Sequence, residues 1–235
     1  MNMKNKNMTY PLILMGLVLL FSFGCSKSDS NNNPVYGDNV TDIDGNVYHT
    51  VIIDRTQIWM VENLKTTHYN DGIILIPNET DNTKWISLTN AAYCWYNNDI
   101  NNKATYGALY NWYAVSNSKL CPKNWHIPTN AEWMDLITFL GGESTAGKKL
   151  KETGTTHWSS PNSGANNSSL YTALPGGSRY GDGKFYDMNT TGYWWSTSEF
   201  NTYNAWGGWL AYDKFNVGSF YVSKFIGFSV RCKKD

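Results

Sequence analysis

The chain has 235 residues, of which 41% are hydrophobic, 15% aromatic and 16% charged, and its 19 basic side chains balance 19 acidic ones. This composition excludes a disordered chain, which carries more charge and fewer rings, and a coiled coil, which is rich in Ala, Glu, Lys and Leu. Zero net charge without a basic stripe also argues against nucleic acid as a partner, because DNA and RNA binders draw most of their affinity from clustered Lys and Arg.

In chain order, Lys4 and Lys6 precede an uncharged run from Pro11 to Gly24 that reads as a signal peptide and is too short to cross a bilayer comfortably. Phe21-Ser22-Phe23-Gly24-Cys25 resembles a lipobox, the bacterial lipoprotein signal that is cut before the Cys. Gly24 and Cys25 fit it, whereas Ser22 stands where Leu is usual and Phe23 is larger than the common residue. The alternatives are an ordinary cleavable signal with a chance Cys, or a buried apolar helix. The position, the preceding Gly and the polar stretch that follows weigh for the lipoprotein. Residues 1–24 are therefore expected to be removed and Cys25 lipidated. The lipid would hold the protein at the membrane of the cell envelope, at the outer membrane on its periplasmic or its outer face. Processing removes two lysines and no acid, leaving 17 basic and 19 acidic groups.

Residues 25–40, rich in Ser and Asn with Pro34 and Gly37, read as a flexible polar tether. Within it Lys27 and Asp29 faintly resemble the acidic tags that send some Bacteroidetes lipoproteins to the cell surface. Residues 41–235 then read as one domain, long enough to bury roughly 70% of its unfolded surface. Eleven Trp, 16 Tyr and 20 Gly point to strands and turns.

Asp42-Ile43-Asp44-Gly45-Asn46 is a turn between polar chain and the strand signals Val47 to Ile53 and Gln57 to Val61. Its acids invite a calcium reading, but an EF-hand loop needs Gly at its sixth position and Gly45 is fourth. The clearest helix starts at Thr129, with Glu132 three residues on as in a capping box. Trp133, Leu136, Ile137 and Leu140 share one apolar face, and Gly141-Gly142 stops the helix. Gly107 to Val115 suits a helix or a strand equally. Gly154 to Ser169 reads as loop. A hairpin follows, Ser178-Arg179-Tyr180 and Lys184-Phe185-Tyr186 about Gly181-Asp182-Gly183, and further strands are expected at Tyr193 to Ser196, Trp206 to Tyr212, Ser219 to Ser223 and Phe228 to Cys232. The order of elements predicts an α+β fold.

Cys94, Cys121 and Cys232 allow three single bridges, and an exported protein favours one of them. Cys121 with Cys232 is the favoured pair; the alternative is three small buried hydrophobes. The absence of C-x-x-C spacing gives no support to zinc or thioredoxin-like chemistry.

Several motifs together are familiar: Asp44-Gly45-Asn46-Val47-Tyr48, Gln57-Ile58-Trp59-Met60, Tyr106-Gly107 with Leu109-Tyr110-Asn111-Trp112, Cys121-Pro122 with Trp125-His126-Ile127-Pro128-Thr129, Leu174-Pro175-Gly176-Gly177, Tyr193-Trp194-Trp195-Ser196 and Gly227-Phe228-Ser229-Val230-Arg231-Cys232. In this order they resemble the Fibrobacter succinogenes major paralogous domain; Asp54-Arg55-Thr56 departs from the family's usual turn glycine. The resemblance implies a C-type lectin-like fold, in the version shared with formylglycine-generating enzymes, with short helices and a twisted antiparallel sheet. It implies an exported, often lipid-anchored domain and does not imply catalysis.

The chemistry agrees. An oxidase of the formylglycine type needs paired Cys on the late strands, and none lies between Tyr193 and Gly227. His49, His68, His126 and His157 are scattered without metal-ligand spacing. Gly177-Ser178-Arg179 lacks the second Gly of a nucleophile elbow. No catalytic residue, metal or cofactor is expected. What remains is surface: Tyr203, Trp206, Trp209, Tyr212, Phe215, Phe220, Tyr221 and Phe225, interleaved with small polar residues, exceed what one side of a small sheet buries. Such rings stack on sugars and anchor protein contacts; alternatively, any one of them fills the core. The expected function is a binding surface at residues 200–226 for a glycan or another cell-surface molecule. On similar scaffolds this region is diversified by retroelements. A structural part of an envelope or fimbrial assembly is the second reading, and an undetected enzyme, with Asp182, Asp187 and Glu199 as the nearest acids, a distant third.

Overall fold

The computed structural model describes residues 33–235, so the signal peptide and Cys25 lie outside the described residues. Twelve strands follow in chain order: β1 Val35–Thr41, β2 Val47–Ile53, β3 Gln57–Met60, β4 Tyr93–Cys94, β5 Leu109–Tyr110, β6 Trp125–His126, β7 Gly176–Arg179, β8 Phe185–Met188, β9 Thr191–Glu199, β10 Asn204–Ala211, β11 Val217–Ser223 and β12 Lys233–Lys234. The helices are short: α1 Asn82–Trp85, α2 Lys103–Tyr106, α3 Trp112–Val115, α4 Asn130–Phe139 and α5 Glu143–Leu150. The α+β expectation holds at that level. None of the described helices is long and apolar enough to cross a membrane.

One sheet has the order β1-β2-β3-β12-β6 and the other β11-β10-β9-β7-β8, with β4 and β5 as a separate pair. β12 pairs with both β3 and β6, so the last residues of the chain close a sheet begun by the first described ones. β1 corrects the tether reading of residues 25–40. From Val35 the chain is bound to β2, because Thr50 and Ile52 offer a register that Gly37 approaches closely.

α4 begins where the sequence places it. The Thr129 hydroxyl accepts from the Glu132 amide at 3.2 Å, and the Glu132 carboxylate accepts from the Thr129 amide at 2.9 Å. Trp133, Leu136, Ile137 and Leu140 are buried in a core completed by Val51, Trp59, Trp194, Leu210 and Val217, so the helix is held between the two sheets. Gly141-Gly142 stops α4, but the chain re-enters a helix at once, with Gly142 as the N-cap of α5 at φ 85°. α5 buries Ala146 and Leu150 in the same core. It packs through Gly147, where a Cβ would strike the Asn216 carbonyl at 2.8 Å.

Gly107 to Val115 resolves into both alternatives, β5 followed by α3. The segment Phe228 to Cys232 departs from the expected half-buried strand, since Ser229 and Arg231 are as buried as their apolar neighbours. It threads between the sheets. Tyr110 and Phe228 exchange backbone bonds, Leu64 donates to the Val230 carbonyl and Met60 to that of Cys232. Asn63 satisfies its interior: Nδ2 donates to Ser229 at 3.2 Å, while Oδ1 accepts from Trp194 at 2.8 Å and Arg231 at 3.1 Å.

Cys121 and Cys232 are joined, as favoured from the sequence, with Cα atoms 6.0 Å apart. Cys94 is free and buried, and desolvation pushes its thiol up to about 12.

Candidate functional site

The eight late rings do not form one surface. In an antiparallel pair, residues directly opposite share a face and the next pair faces the other way. Trp206 lies opposite Tyr221, and Gly207 opposite Phe220. Trp206 and Tyr221 therefore share one face of the β10–β11 ribbon, with Phe220 on the other.

On the first face Phe200 completes the group. Its ring stacks on Tyr221 with centroids 3.8 Å apart and planes 7° from parallel, and Trp206 meets both edge-on at 5.5 and 5.8 Å. Phe200 and Tyr221 are 44% and 52% exposed, and Tyr203, three residues further along the same loop, is 77% exposed. Two large rings thus stay in water against a half-buried Trp, with a third exposed in the same loop, an arrangement that costs hydration.

The β9–β10 loop that carries Phe200 and Tyr203 is fixed from inside. Asn201 Oδ1 accepts from the amides of Tyr203 and Asn204, both at 2.9 Å. Lys224, buried against the Trp112 ring at 4.6 Å, donates from Nζ to the Thr202 carbonyl at 2.8 Å and to Glu199. Its amide donates to the Tyr203 carbonyl at 3.0 Å. The ammonium ties the loop to the end of β11, so the rings are presented with little freedom left to lose on contact.

The other five rings have separate places. Trp209 is half-buried opposite Tyr193 and Gly218, where the missing Cβ leaves room for its indole. Tyr212 packs on the core around α4. Phe215 is exposed above Gly164, with the Lys148 ammonium 5.6 Å from its centroid. Phe225 is half-buried against Gly181. Phe220 meets Tyr193 at 6.0 Å and Phe228 at 5.8 Å and borders a cleft of about 250 Å³. The sequence reading named Tyr203, Trp206 and Tyr221 but left out Phe200. The signal for it was the Glu199-Phe200-Asn201 corner, where a ring at a strand end has no partner position to bury it.

Several charged side chains elsewhere hold the fold together. Each histidine pairs with carboxylate in a different part of the fold: His49 with Glu62 at 2.6 Å, His68 with Asp44 at 2.6 Å, His126 with Glu132 at 3.0 Å and His157 with Glu152 at 2.9 Å. Asp42 Oδ1 accepts from the amides of Asp44 and Asn46, and Oδ2 from Tyr48, the bonding of an Asx turn. Among the described residues no three His, Cys, Asp or Glu side chains gather in a way that could hold a metal ion. Arg179 is buried over the Trp85 ring at 4.3 Å and donates to the Gly183 carbonyl and Asn82, which anchors the β7–β8 hairpin.

No curated protein and no solved structure matches the chain. The Fibrobacter succinogenes major domain matches it over residues 55–234, which takes in both sheets except β1 and β2, together with the ribbon that carries the exposed rings. The chain belongs to the Fibrobacter succinogenes major domain family.

Proposed function

We propose that this is an exported, lipid-anchored binding protein, without catalytic activity, that presents the Phe200, Tyr203 and Tyr221 rings to a glycan or another cell-surface molecule. The observation that carries the reading is the outward stack of Phe200 on Tyr221 over Trp206, on a loop held by a buried lysine. Flat exposed rings match the apolar face of a pyranose and supply large contact area at low entropy cost. The scaffold in this reading is C-type lectin-like, and Cys25 carries lipid that holds the domain at the outer membrane.

A glycan array probed with residues 33–235 tests it. The fragment has to begin at 33, because starting at 40 removes most of β1. Binding to a defined set of glycans that disappears in F200A/Y203A supports the reading. An array signal unchanged in that variant refutes it. A structural role in an envelope assembly is favoured by one feature, the edge strand β1, whose Val35 and Tyr36 are exposed and which offers an unpaired strand edge to a neighbour.

A further inference from the structure

We propose that the cleft on the opposite face of the β10–β11 ribbon is a second site, one that binds an organic ammonium group through Asp187 and a wall of aromatic rings. Ser178, Tyr180, Asp187, Tyr193, Phe220, Val222 and Phe228 line it, and Tyr221, whose ring lies in the outer group, borders it as well. Tyr193 is backed by the buried Phe228, stacked on it 4.9 Å away at 12°, Phe220 meets Tyr193 at 64°, and Tyr180 stands exposed, so Tyr193, Phe220 and Tyr180 are the rings a ligand can reach. Ring faces carry partial negative charge, and a cation within about 6 Å of a centroid is attracted to them.

Asp187 brings the only charge to the lining, and no Lys, Arg or His is part of it. The carboxylate is placed by the backbone. Asp187, the third residue of β8, has φ 65°, in the left-handed region that Asp and Asn adopt more readily than other side chains. The Thr190 amide and hydroxyl both donate to its carbonyl at 3.0 Å. Tyr193 donates its hydroxyl to Oδ2 at 2.9 Å, so one carboxylate oxygen is oriented toward the ring wall while no cation of the described residues pairs with the group. A carboxylate without a counter-charge beside desolvated ring faces repels anions and rewards a soft cation. A volume of about 250 Å³ takes one trimethylammonium head or the end of a lysine side chain.

The test is calorimetric titration of the full chain in a nonionic detergent with three probes: choline, N-acetyl-lysine amide, and 3,3-dimethylbutanol, the uncharged isostere of choline. Saturable binding of an ammonium probe, at least about tenfold tighter than the isostere, is the expected result. Choline binding more tightly identifies a free or lipid-borne quaternary ammonium as the source, and the lysine probe binding more tightly identifies a protein side chain. D187N, which keeps the left-handed backbone and the shape, is expected to lose about tenfold in affinity, with near-UV circular dichroism unchanged. Y203A, whose side chain does not line the cleft, is expected to leave the titration unchanged, which separates this site from the exposed loop. Equal binding of the isostere, unchanged affinity in D187N, or no saturable binding of either ammonium overturns the proposal.

Discussion

Lys224 joins the interior to the surface. Its side chain is 6% exposed, yet its ammonium ends on the loop that displays Phe200 and Tyr203. Replacing it with Met leaves the Thr202 carbonyl and the Glu199 carboxylate without their donor. K224M should lower stability by about 2–3 kcal/mol in denaturant unfolding and raise amide exchange at residues 200–204 above that of the rest of β10. Glu132 predicts a pH dependence. Burial alone raises its carboxyl, but hydrogen bonds from Lys233, the Thr129 amide and His126 outweigh it and hold the group down to about 2, below the usual 4.5. Because the folded form binds the proton less readily than the unfolded form, this stabilisation is full above pH 4.5 and is lost as pH falls toward 2. Thermal melts of E132Q should show a flatter decline than wild type across that window, since Gln keeps the cap but not the charge. Parallel curves would remove Glu132 from the account.

At the scale of elements, the glycines of β10 decide how closely the layers approach. A Cβ on Gly208 would collide with the Trp133 indole, and one on Gly207 would meet the Trp194 carbonyl at 2.9 Å. G208A should cost about 1–3 kcal/mol by overpacking, read as a lower denaturation midpoint with an unchanged slope. An undiminished midpoint would mean that α4 slides freely over the sheet. Elements with local determinants were legible in the sequence. α4 carries its own cap and stripe, and the β7–β8 hairpin its own glycine turn, with Arg179 opposite Phe185 as its alternation implies. Those whose form depends on distant partners were not. α5 buries only Ala146, Gly147 and Leu150, and Gly147 is needed because it faces the backbone of Phe215 and Asn216. Residues 228–232 alternate like a half-buried strand, yet Asn63 and Tyr171 supply partners that let Ser229 and Arg231 go inside. The β1 strand was masked by its polar composition, because an exposed edge strand needs few apolar residues.

For the whole molecule, the Cys121–Cys232 bridge spans 111 residues and ties the last strand to the approach to α4. Closing so long a loop restricts the unfolded chain, so C121S/C232S should lose about 2–5 kcal/mol in chemical denaturation. The sequence located the ring-rich segment but not its geometry. The richness in rings was visible as composition, whereas their division between two faces follows from the register of β10 against β11, which places Tyr221 with Trp206 and Phe220 apart. Strand register emerges only from pairing, and Phe200 joins the outer group only once that pairing is known. The central claim is that the outer rings touch the ligand. It is tested most directly by fluorotyrosine-labelled protein titrated with an array-selected glycan and followed by fluorine NMR. The account predicts that the Tyr203 and Tyr221 resonances shift and saturate together while those of the buried Tyr48, Tyr110 and Tyr171 stay fixed. Saturable binding that leaves Tyr203 and Tyr221 unmoved would contradict it.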